Sequence, residues 1–259
     1  MYDLPAIEAA LNGTLFAGKL HFCPTTRSTN ADAMEAARRG APEGSVFLTD
    51  EQTAGRGRGD HGWSSAAGEG LYVSALFRLE ITSSRLLPMA AGLAAADAIR
   101  TAAGQIVDLR WPNDLLIGER KVGGILVEAH AETSGTVFAV VGVGVNVHQR
   151  EFPPDLSTPA TSLDLAAGKR VSRSALLVVL LKSLEREARG LDAPEAARAI
   201  PARMDQASSW VRGRRVEVHG PQACSGVTDG LDELGFLRVR TEKGVVQVRT
   251  GGIRAAERD

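Results

Sequence analysis

Cysteine is scarce in this sequence, with only Cys23 and Cys224, and neither forms part of a CxxC pair or a Cys/His cluster. That scarcity disfavours a disulfide-stabilised scaffold and a structural zinc site, and it is typical of reduced cytoplasmic proteins. No N-terminal secretion signal is present, and the apolar run from Leu176 to Leu181 is far too short to span a bilayer. We therefore expect a cytoplasmic protein with no membrane partner.

An excess of charge of one sign is also lacking. The 30 lysines and arginines nearly balance the 31 aspartates and glutamates, which leaves a net charge of -1. Binding to nucleic acid usually requires a basic face, so we expect no nucleic-acid partner, although a local basic pocket remains compatible with this balance. The length of 259 residues, with 44% hydrophobic residues, suits one large domain, or one domain and a small appendage.

Hydrophobic periodicity predicts both helices and strands along the first four fifths of the chain. The predicted helices cover about 30–39, 84–103, 172–190 and 195–207, and the first begins with a capping-box-like pair, Thr29 and Asp32. The predicted strands are GSVFLTD, LYVSALFRL with one buried face, VDLRW, GGILVEAH and TVFAVVGVGVNV. After Trp210, short strands separated by Gly/Asp turns predict a small barrel, with a domain boundary near 208–212.

The stretch DEQTAGRGRGDHGW, residues 50–63, concentrates glycine and arginine at one place. Glycine costs backbone entropy in a regular element, so this stretch is predicted to be a loop. Arginine presents a planar fork that suits carboxylate and phosphate, and the alternating glycines allow backbone N–H groups to face an anion. Neither a P-loop nor a convincing dinucleotide fingerprint is present. The alternative is an exposed loop without a specific ligand.

Three further stretches carry polar residues at the ends of predicted elements. RWPNDLLIGERKVGGILVE, residues 110–128, places Asn113 and Asp114 at a strand end and Lys121 just before two glycines. GVGVNV ends a strand with glycines and Asn146, and RSTN opens a helix. Each stretch also has a purely structural interpretation: a surface lysine, a turn pair, close strand packing, or helix capping.

Together these motifs resemble those of the bacterial biotin protein ligases, also called biotin–[acetyl-CoA-carboxylase] ligases. STN, EQTAGRGRG…W, RWPNDLL…RKVGGILVE and GVGVNV occur in the order and spacing of that family, over most of residues 25–150. The resemblance implies an α+β fold, with a central mixed, largely antiparallel sheet flanked by helices, of the biotin/lipoyl-ligase and class II synthetase kind. It implies a catalytic domain over 1–209 and an SH3-like small barrel over 210–259.

The resemblance also implies roles for individual residues. The STN residues contact biotin, the loop arginines close over biotin and its adenylate, and Lys121 lies near the biotin carboxylate and the α-phosphate. Trp63 and Asn146 are associated with adenine, and Asn113 and Asp114 lie near the phosphate and metal, so Asp114 is a candidate Mg²⁺ ligand. The expected catalytic residues are Lys121, Arg56 and Arg58; the expected ligand-binding residues are Ser28, Thr29, Asn30, Gln52, Gly55, Arg56, Gly57, Arg58, Trp63, Asn113, Asp114, Lys121, Gly124, Gly142 and Asn146.

The implied reaction has two steps. ATP and biotin, with Mg²⁺, give biotinyl-5′-AMP and pyrophosphate, and a lysine of the biotin carboxyl carrier protein of acetyl-CoA carboxylase then displaces AMP. Members are monomers or homodimers. Three alternatives remain: a lipoate or octanoate ligase of the same fold, a biotin-binding regulator without catalysis, and an interaction module built on the C-terminal barrel.

The sequence departs from the family pattern at several points. The loop continues as Gly59-Asp60-His61-Gly62 where relatives often have further arginines, so we expect weaker closure over the intermediate. Arg110 stands before the WPND stretch, where lysine is common, and no ligand arginine is matched in the C-terminal barrel. Some members carry an N-terminal DNA-binding domain; the residues before Ser28 are too few for one, so we expect the short form.

Overall fold

A computed structural model of the protein describes residues 2–59, 61–132 and 135–256. Its centre is a seven-stranded sheet with the strand order β1-β2-β3-β7-β6-β5-β4. Among the strand pairs of this sheet within the described residues, β1 with β2 is parallel and the others are antiparallel, so the predicted mixed, largely antiparallel sheet is confirmed. The strands are β1 Leu20–Thr26, β2 Val46–Gln52, β3 Gly70–Glu80, β4 Asp108–Arg110, β5 Asp114–Ile117, β6 Arg120–Ala131 and β7 Thr136–Asn146.

Helices cover both faces of this sheet. One face packs on the long helices α4 and α6 and forms the main hydrophobic core. The other face packs on α2, where Ala33 and Ala37 contact Leu76, Phe138 and Val140. The helices are α1 Leu4–Ala10, α2 Thr29–Arg38, α3 Ile81–Ser84, α4 Leu87–Ala103, α5 Leu163–Ala167, α6 Arg173–Arg189 and α7 Ala196–Gln206. None of the helices in the described ranges is long and apolar enough to cross a membrane.

The central strand β3 differs from its prediction. Alternating residues suggested one buried face, but Tyr72 and Ser74 on the other face are as buried as the apolar residues between them. The reason is that α2 and a cavity cover that second face. The short strand β5 was predicted as part of a turn, and α1, β1 and α5 were not predicted.

The start of α2 also differs from its prediction. Ser28 is the N-cap residue, and its side chain makes no capping hydrogen bond. The Thr29 hydroxyl donates instead to Gln52 Oε1, and Asp32 accepts from the Thr26 hydroxyl. The predicted capping box is therefore wrong, because both of its side chains have partners outside the helix. By contrast, Ser172 caps α6, accepting a hydrogen bond from the Ala175 N–H.

The C-terminal segment forms a second, five-stranded antiparallel sheet with the order β11-β10-β9-β8-β12. Its apolar residues form a core of their own that also includes Leu116 from β5 and Trp111 from the turn between β4 and β5. Closure of this sheet into a barrel stays a prediction. The strands are β8 Arg212–His219, β9 Cys224–Leu231, β10 Leu237–Thr241, β11 Gly244–Val248 and β12 Gly252–Ala255.

Candidate functional site

A cavity of about 700 Å³ opens on the α2 side of the central sheet, a volume within the usual range for small-molecule sites. Its walls come from parts of the chain that are distant in sequence, among them the start of α2, the 53–63 loop, strands β5 to β7, the 149–160 segment and the C-terminal sheet. All but one of the residues predicted to bind ligand line the cavity; Gly55 is not among the lining residues. The fold therefore brings the predicted set together.

The start of α2 forms one end of the cavity and is fixed by Gln52. The backbone N–H and hydroxyl of Thr29 both donate to Gln52 Oε1, at 2.9 and 3.2 Å. The Gln52 amide nitrogen in turn donates to Ser65 Oγ at 2.8 Å. Ser65 follows the 53–63 loop in sequence, so these bonds connect the helix start to the base of that loop. Gln52 thus has a structural role here as well as its expected role in binding.

Two side chains that the sequence analysis did not identify complete this end. Ser74 Oγ lies 2.8 Å from Thr29 Oγ1 and 2.6 Å from Asn30 Oδ1, fully buried beneath the helix. The Asn30 amide donates to Glu128 Oε2 at 2.9 Å. In the sequence, Ser74 could be noticed as a polar residue within the largely apolar stretch LYVSALF. Glu128 could be noticed as the charged residue that ends GGILVE. A buried hydroxyl with two polar neighbours fixes their orientation.

Glycines in β7 allow this close packing. A side chain at Gly142 would place its Cβ only 2.0 Å from Asn30 Oδ1, and one at Gly144 would meet the Trp63 indole at 2.7 Å. The glycines of GVGVNV are therefore required by contacts between protein groups. Gly124 lies beside Lys121, whose Cε would be 3.6 Å from a Cβ built there. These glycines therefore allow close packing, and they also line the cavity wall.

The 53–63 loop folds back on itself above the cavity. Backbone hydrogen bonds run from Gly57 N–H to the His61 carbonyl, at 2.8 Å, and from Trp63 N–H to the Gly55 carbonyl, at 2.9 Å. Arg56 pairs with Glu128 at 3.2 Å, while Arg58 donates to the carbonyl of Gly251 in the C-terminal segment at 2.7 Å. Asp60, part of the departure from the family pattern, lies outside the described residues.

The opposite wall holds a partly buried cluster of three charges. Asp114 Oδ1 contacts the Lys121 ammonium at 2.5 Å, and Asp114 Oδ2 accepts two hydrogen bonds from Arg110, at 2.6 and 3.0 Å. Burial alone raises the pKa of Asp114, but Lys121 and Arg110 together hold the pKa of that carboxyl below its usual range. The carboxylate is therefore ionised at neutral pH. Asn113, next to it, donates to the Ile125 carbonyl at 2.8 Å.

Trp63 and Asn146 lie between these two walls. The Lys121 ammonium is 5.5 Å from the centroid of the Trp63 ring, within cation–π range. The Asn146 amide donates to the Thr161 carbonyl at 3.0 Å, which leaves its Oδ1 as an acceptor toward Gln149 at 3.4 Å. Among the described residues, Trp63 Nε1 and Gln149 Oε1 are buried without a hydrogen-bond partner.

The arrangement is chemically suited to an anionic ligand with an apolar part. Burial lowers the pKa of Arg58 from its ordinary value, opposed by the charge of Asp114, but guanidinium groups stay protonated in proteins. Arg56, Arg58 and Lys121 therefore bring three positive charges to one cavity. Cys23 and Cys224 lie in β1 and β9, away from this cavity. Within the described ranges, no group of three or more His, Cys, Asp or Glu side chains could hold a metal ion.

Comparison with known proteins gives three findings. Residues 22–146 match the family model described as "Biotin/lipoate A/B protein ligase family". The chain is 33% identical to the "Biotin--[acetyl-CoA-carboxylase] ligase" of Mycobacterium tuberculosis, over 88% of this chain and 85% of that protein. Its structure is similar to that of the biotin protein ligase from Aquifex aeolicus in complex with biotin and ATP, with a TM-score of 0.77, 27% identity, and coverage of 92% of this chain and 98% of the other.

The chain is also 39% identical to the "Bifunctional ligase/repressor BirA" of Bacillus subtilis, over 62% of its own length. That match spans only 51% of the Bacillus protein, so the chain covers about half the length of the first curated relatives that it matches.

Proposed function

This chain belongs to the biotin protein ligases, within the biotin/lipoate A/B protein ligase family, and we propose that it activates biotin with ATP and transfers it to a protein lysine. The carrier we propose is the biotin carboxyl carrier protein of acetyl-CoA carboxylase, in keeping with the names of its relatives. One observation carries the proposal most strongly. The Ser28-Thr29-Asn30 segment and the cations of the GRGR loop and Lys121 line one cavity.

The first step is adenylation of the biotin carboxylate. One carboxylate oxygen bonds to the α-phosphorus of ATP, and the bond from that phosphorus to the pyrophosphate oxygen breaks. A carboxylate is already ionised at neutral pH, so no general base is required. The difficulty is bringing two anionic groups together, and Arg56, Arg58 and Lys121 act by stabilising the charge that spreads over the phosphoryl group.

The second step is acyl transfer. The neutral amine of the carrier lysine forms a bond to the carbonyl carbon of biotinyl-5′-AMP, AMP leaves with the electron pair of the broken C–O bond, and the nitrogen loses one proton to solvent. No covalent intermediate with the protein is needed, in agreement with the position of both cysteines outside the cavity. The 53–63 loop lies over the cavity and limits access of water to the reactive anhydride.

Mg²⁺ enters this proposal as part of the ATP substrate. The one carboxylate predicted as its ligand, Asp114, already contacts Arg110 through Oδ2 and Lys121 through Oδ1. A carboxylate with a cation on each oxygen does not fit a protein-held Mg²⁺ ion, which usually takes one or two carboxylates and several waters or phosphate oxygens. We therefore assign Asp114 to the positioning of these cations and derive no step through the metal.

The division of the chain into residues 1–209 and 210–259 is likewise a proposal. It is supported by the separate apolar cluster of the second sheet. His219, Gly251 and Arg254 of that sheet and its turns line the cavity, which suits a role in docking ATP or the carrier. We further propose that the protein is a cytoplasmic monomer or homodimer. We also propose that it has no nucleic-acid partner, since the charge balance is close to neutral. A sequence-specific, salt-resistant mobility shift with duplex DNA would contradict the last point.

The deciding experiment is release of pyrophosphate with ATP, Mg²⁺ and each of three acids: biotin, lipoate and octanoate. We expect release with biotin alone, followed by biotin attachment when the carrier protein is added. Release with lipoate or octanoate in place of biotin would identify a sister acyl ligase. Binding of biotin, measured by calorimetry, without pyrophosphate release would identify a regulator without catalysis.

A further inference from the structure

Arg110 is a buried cation in the cavity wall that the proposed reaction leaves without a role. It ends β4, and its side chain is only 9% exposed. Its Nε and Nη2 atoms both donate to Asp114 Oδ2, and Nη2 also donates to the Thr158 hydroxyl at 2.9 Å. A fork with these bonds is fixed in orientation, so Arg110 contributes a rigid positive charge next to Asp114.

The junction between the two sheets covers this charge. The guanidinium carbon of Arg110 lies 5.1 Å from the ring centroid of Trp210, which is 4% exposed. Arg214, from β8, stacks on the same ring at 3.6 Å and pairs with Glu119 instead of Asp114. Because the aromatic cover excludes water, the attraction between Arg110 and Asp114 is screened less than at the surface.

The balance of charge at Asp114 shows what Arg110 does. Without Arg110, Asp114 and Lys121 would form a pair with no net charge, because the Asp114 carboxylate would fully neutralise the Lys121 ammonium. With Arg110 present, two cations share one carboxylate, and the cluster keeps one net positive charge. An anionic ligand at Lys121 then contacts an ammonium that is only partly neutralised, because its counter-ion Asp114 also pairs with Arg110.

We propose that Arg110 is a positioning residue for adenylation: it neutralises and orients Asp114, so that the Lys121 ammonium stays available to the biotin carboxylate and the α-phosphate. This inference rests on the proposed function and names a residue beyond the predicted site. Arg110 acts through Asp114, without contact to the reacting atoms.

The test compares Arg110→Met, which keeps a long apolar side chain against Trp210, with Arg110→Lys, which keeps the charge. We expect Arg110→Met to lower kcat for biotin-dependent pyrophosphate release about tenfold, the size of one charge-assisted contact, and Arg110→Lys to recover most of that loss. Arg214→Met is the matched control, because it removes an arginine from the same ring without touching Asp114; its kcat should equal that of wild type. Thermal melts verify that each variant is folded.

A second substitution separates this mechanism from simple loss of structure. Adding Asp114→Asn to Arg110→Met removes the carboxylate that would capture Lys121, and restores one net positive charge. We expect kcat of the double variant to rise several-fold above that of Arg110→Met, whereas a purely structural role predicts a further fall. Should Arg110→Met not fold, Arg110→Gln replaces it in both comparisons with the same expectations.

Each result has one meaning. Equal kcat for wild type and Arg110→Met, or a double variant no faster than the single one, would overturn the inference. If wild type itself released no pyrophosphate with biotin, the proposed function would fail, and the inference would fail with it.

Discussion

The cavity has two groups of cations, and they are held in different ways. The strand half consists of Arg110 and Lys121 around Asp114, which lie on the three consecutive antiparallel strands β4, β5 and β6. The loop half consists of Arg56 and Arg58 of the 53–63 loop, where Arg56 is 53% exposed and pairs with Glu128, and Arg58 reaches a backbone carbonyl of the C-terminal segment. The strand half is fixed by a sheet, and the loop half depends on contacts between distant parts of the chain.

This difference indicates a division of labour. Ion pairs on paired strands are held in place before a ligand binds, and electrostatic stabilisation of a transition state requires such preorganised charges. A glycine-rich loop costs about 1–2 kcal/mol of backbone entropy for each residue that is fixed, and its partially exposed ion pair offsets little of that. We therefore expect the strand half to contribute most to the rate of adenylation, and the loop half, besides its smaller contribution to that rate, to govern retention of the intermediate.

The largest effect should come from the strand half. Lys121→Ala removes a charge-assisted contact worth about 1.5–3 kcal/mol, so biotin-dependent pyrophosphate release should fall about ten- to a hundredfold. Lys169→Ala, at an exposed lysine outside the cavity, is the control and should have no effect. A rate equal to wild type in a Lys121→Ala protein with a normal thermal melt would rule out this role.

The next effect should come from the loop half and should differ in kind. Arg58→Gly removes the hydrogen bond to the Gly251 carbonyl, so free biotinyl-5′-AMP should escape about tenfold faster, while the rate of its formation falls by less than in Lys121→Ala. Chromatography of the adenylate released in the absence of carrier measures the escape. Arg170→Gly, at an exposed arginine away from the cavity, is the control. Unchanged escape in the Arg58 variant would show that Arg58 does not hold the intermediate.

The smallest effect should come from Ser74, which belongs to neither half and lies beneath the start of α2. Ser74→Ala leaves Asn30 Oδ1 without the hydroxyl that orients it, so the KM for biotin should rise about fivefold, the equivalent of one neutral hydrogen bond, with little change in kcat. Ser183→Ala is a matched control, because that buried serine bonds Asp97 on the far helices. It should lower the melting temperature similarly while leaving the KM unchanged. A change in kcat alone for Ser74→Ala would place Ser74 with the strand half.

The sequence predicted the loop half more completely than the strand half. Glycine and arginine in GRGRG predict, by residue type alone, a loop suited to binding anions. The pairing of Lys121 with Asp114 depends on the register of β5 with β6, and β5 is a strand of only four residues within the predicted turn. Short strands carry too few residues for a periodic signal.

Contacts between distant segments were beyond prediction for a different reason. Arg58 and Gly251 are 193 residues apart, and nothing in the local pattern of either indicates the other. The covering of Arg110 by Trp210 likewise depends on how the second sheet packs against the first. The buried second face of β3 was not predicted because its polar residues usually signal solvent; here Ser74 bonds the start of α2 and Tyr72 lines the cavity.

Hydrogen exchange with and without a non-hydrolysable biotinyl-adenylate analogue tests the division between the two halves most directly. We predict that the backbone amides of Gly55 to Gly59 exchange more slowly by at least tenfold when the analogue is bound, because the ligand adds the contacts that order the loop. Amides of β5 and β6 near Asp114 and Lys121 should change by less than about twofold, since the sheet already fixes them. Equal protection of the loop with and without the analogue, or strong new protection confined to the strands, would contradict the account.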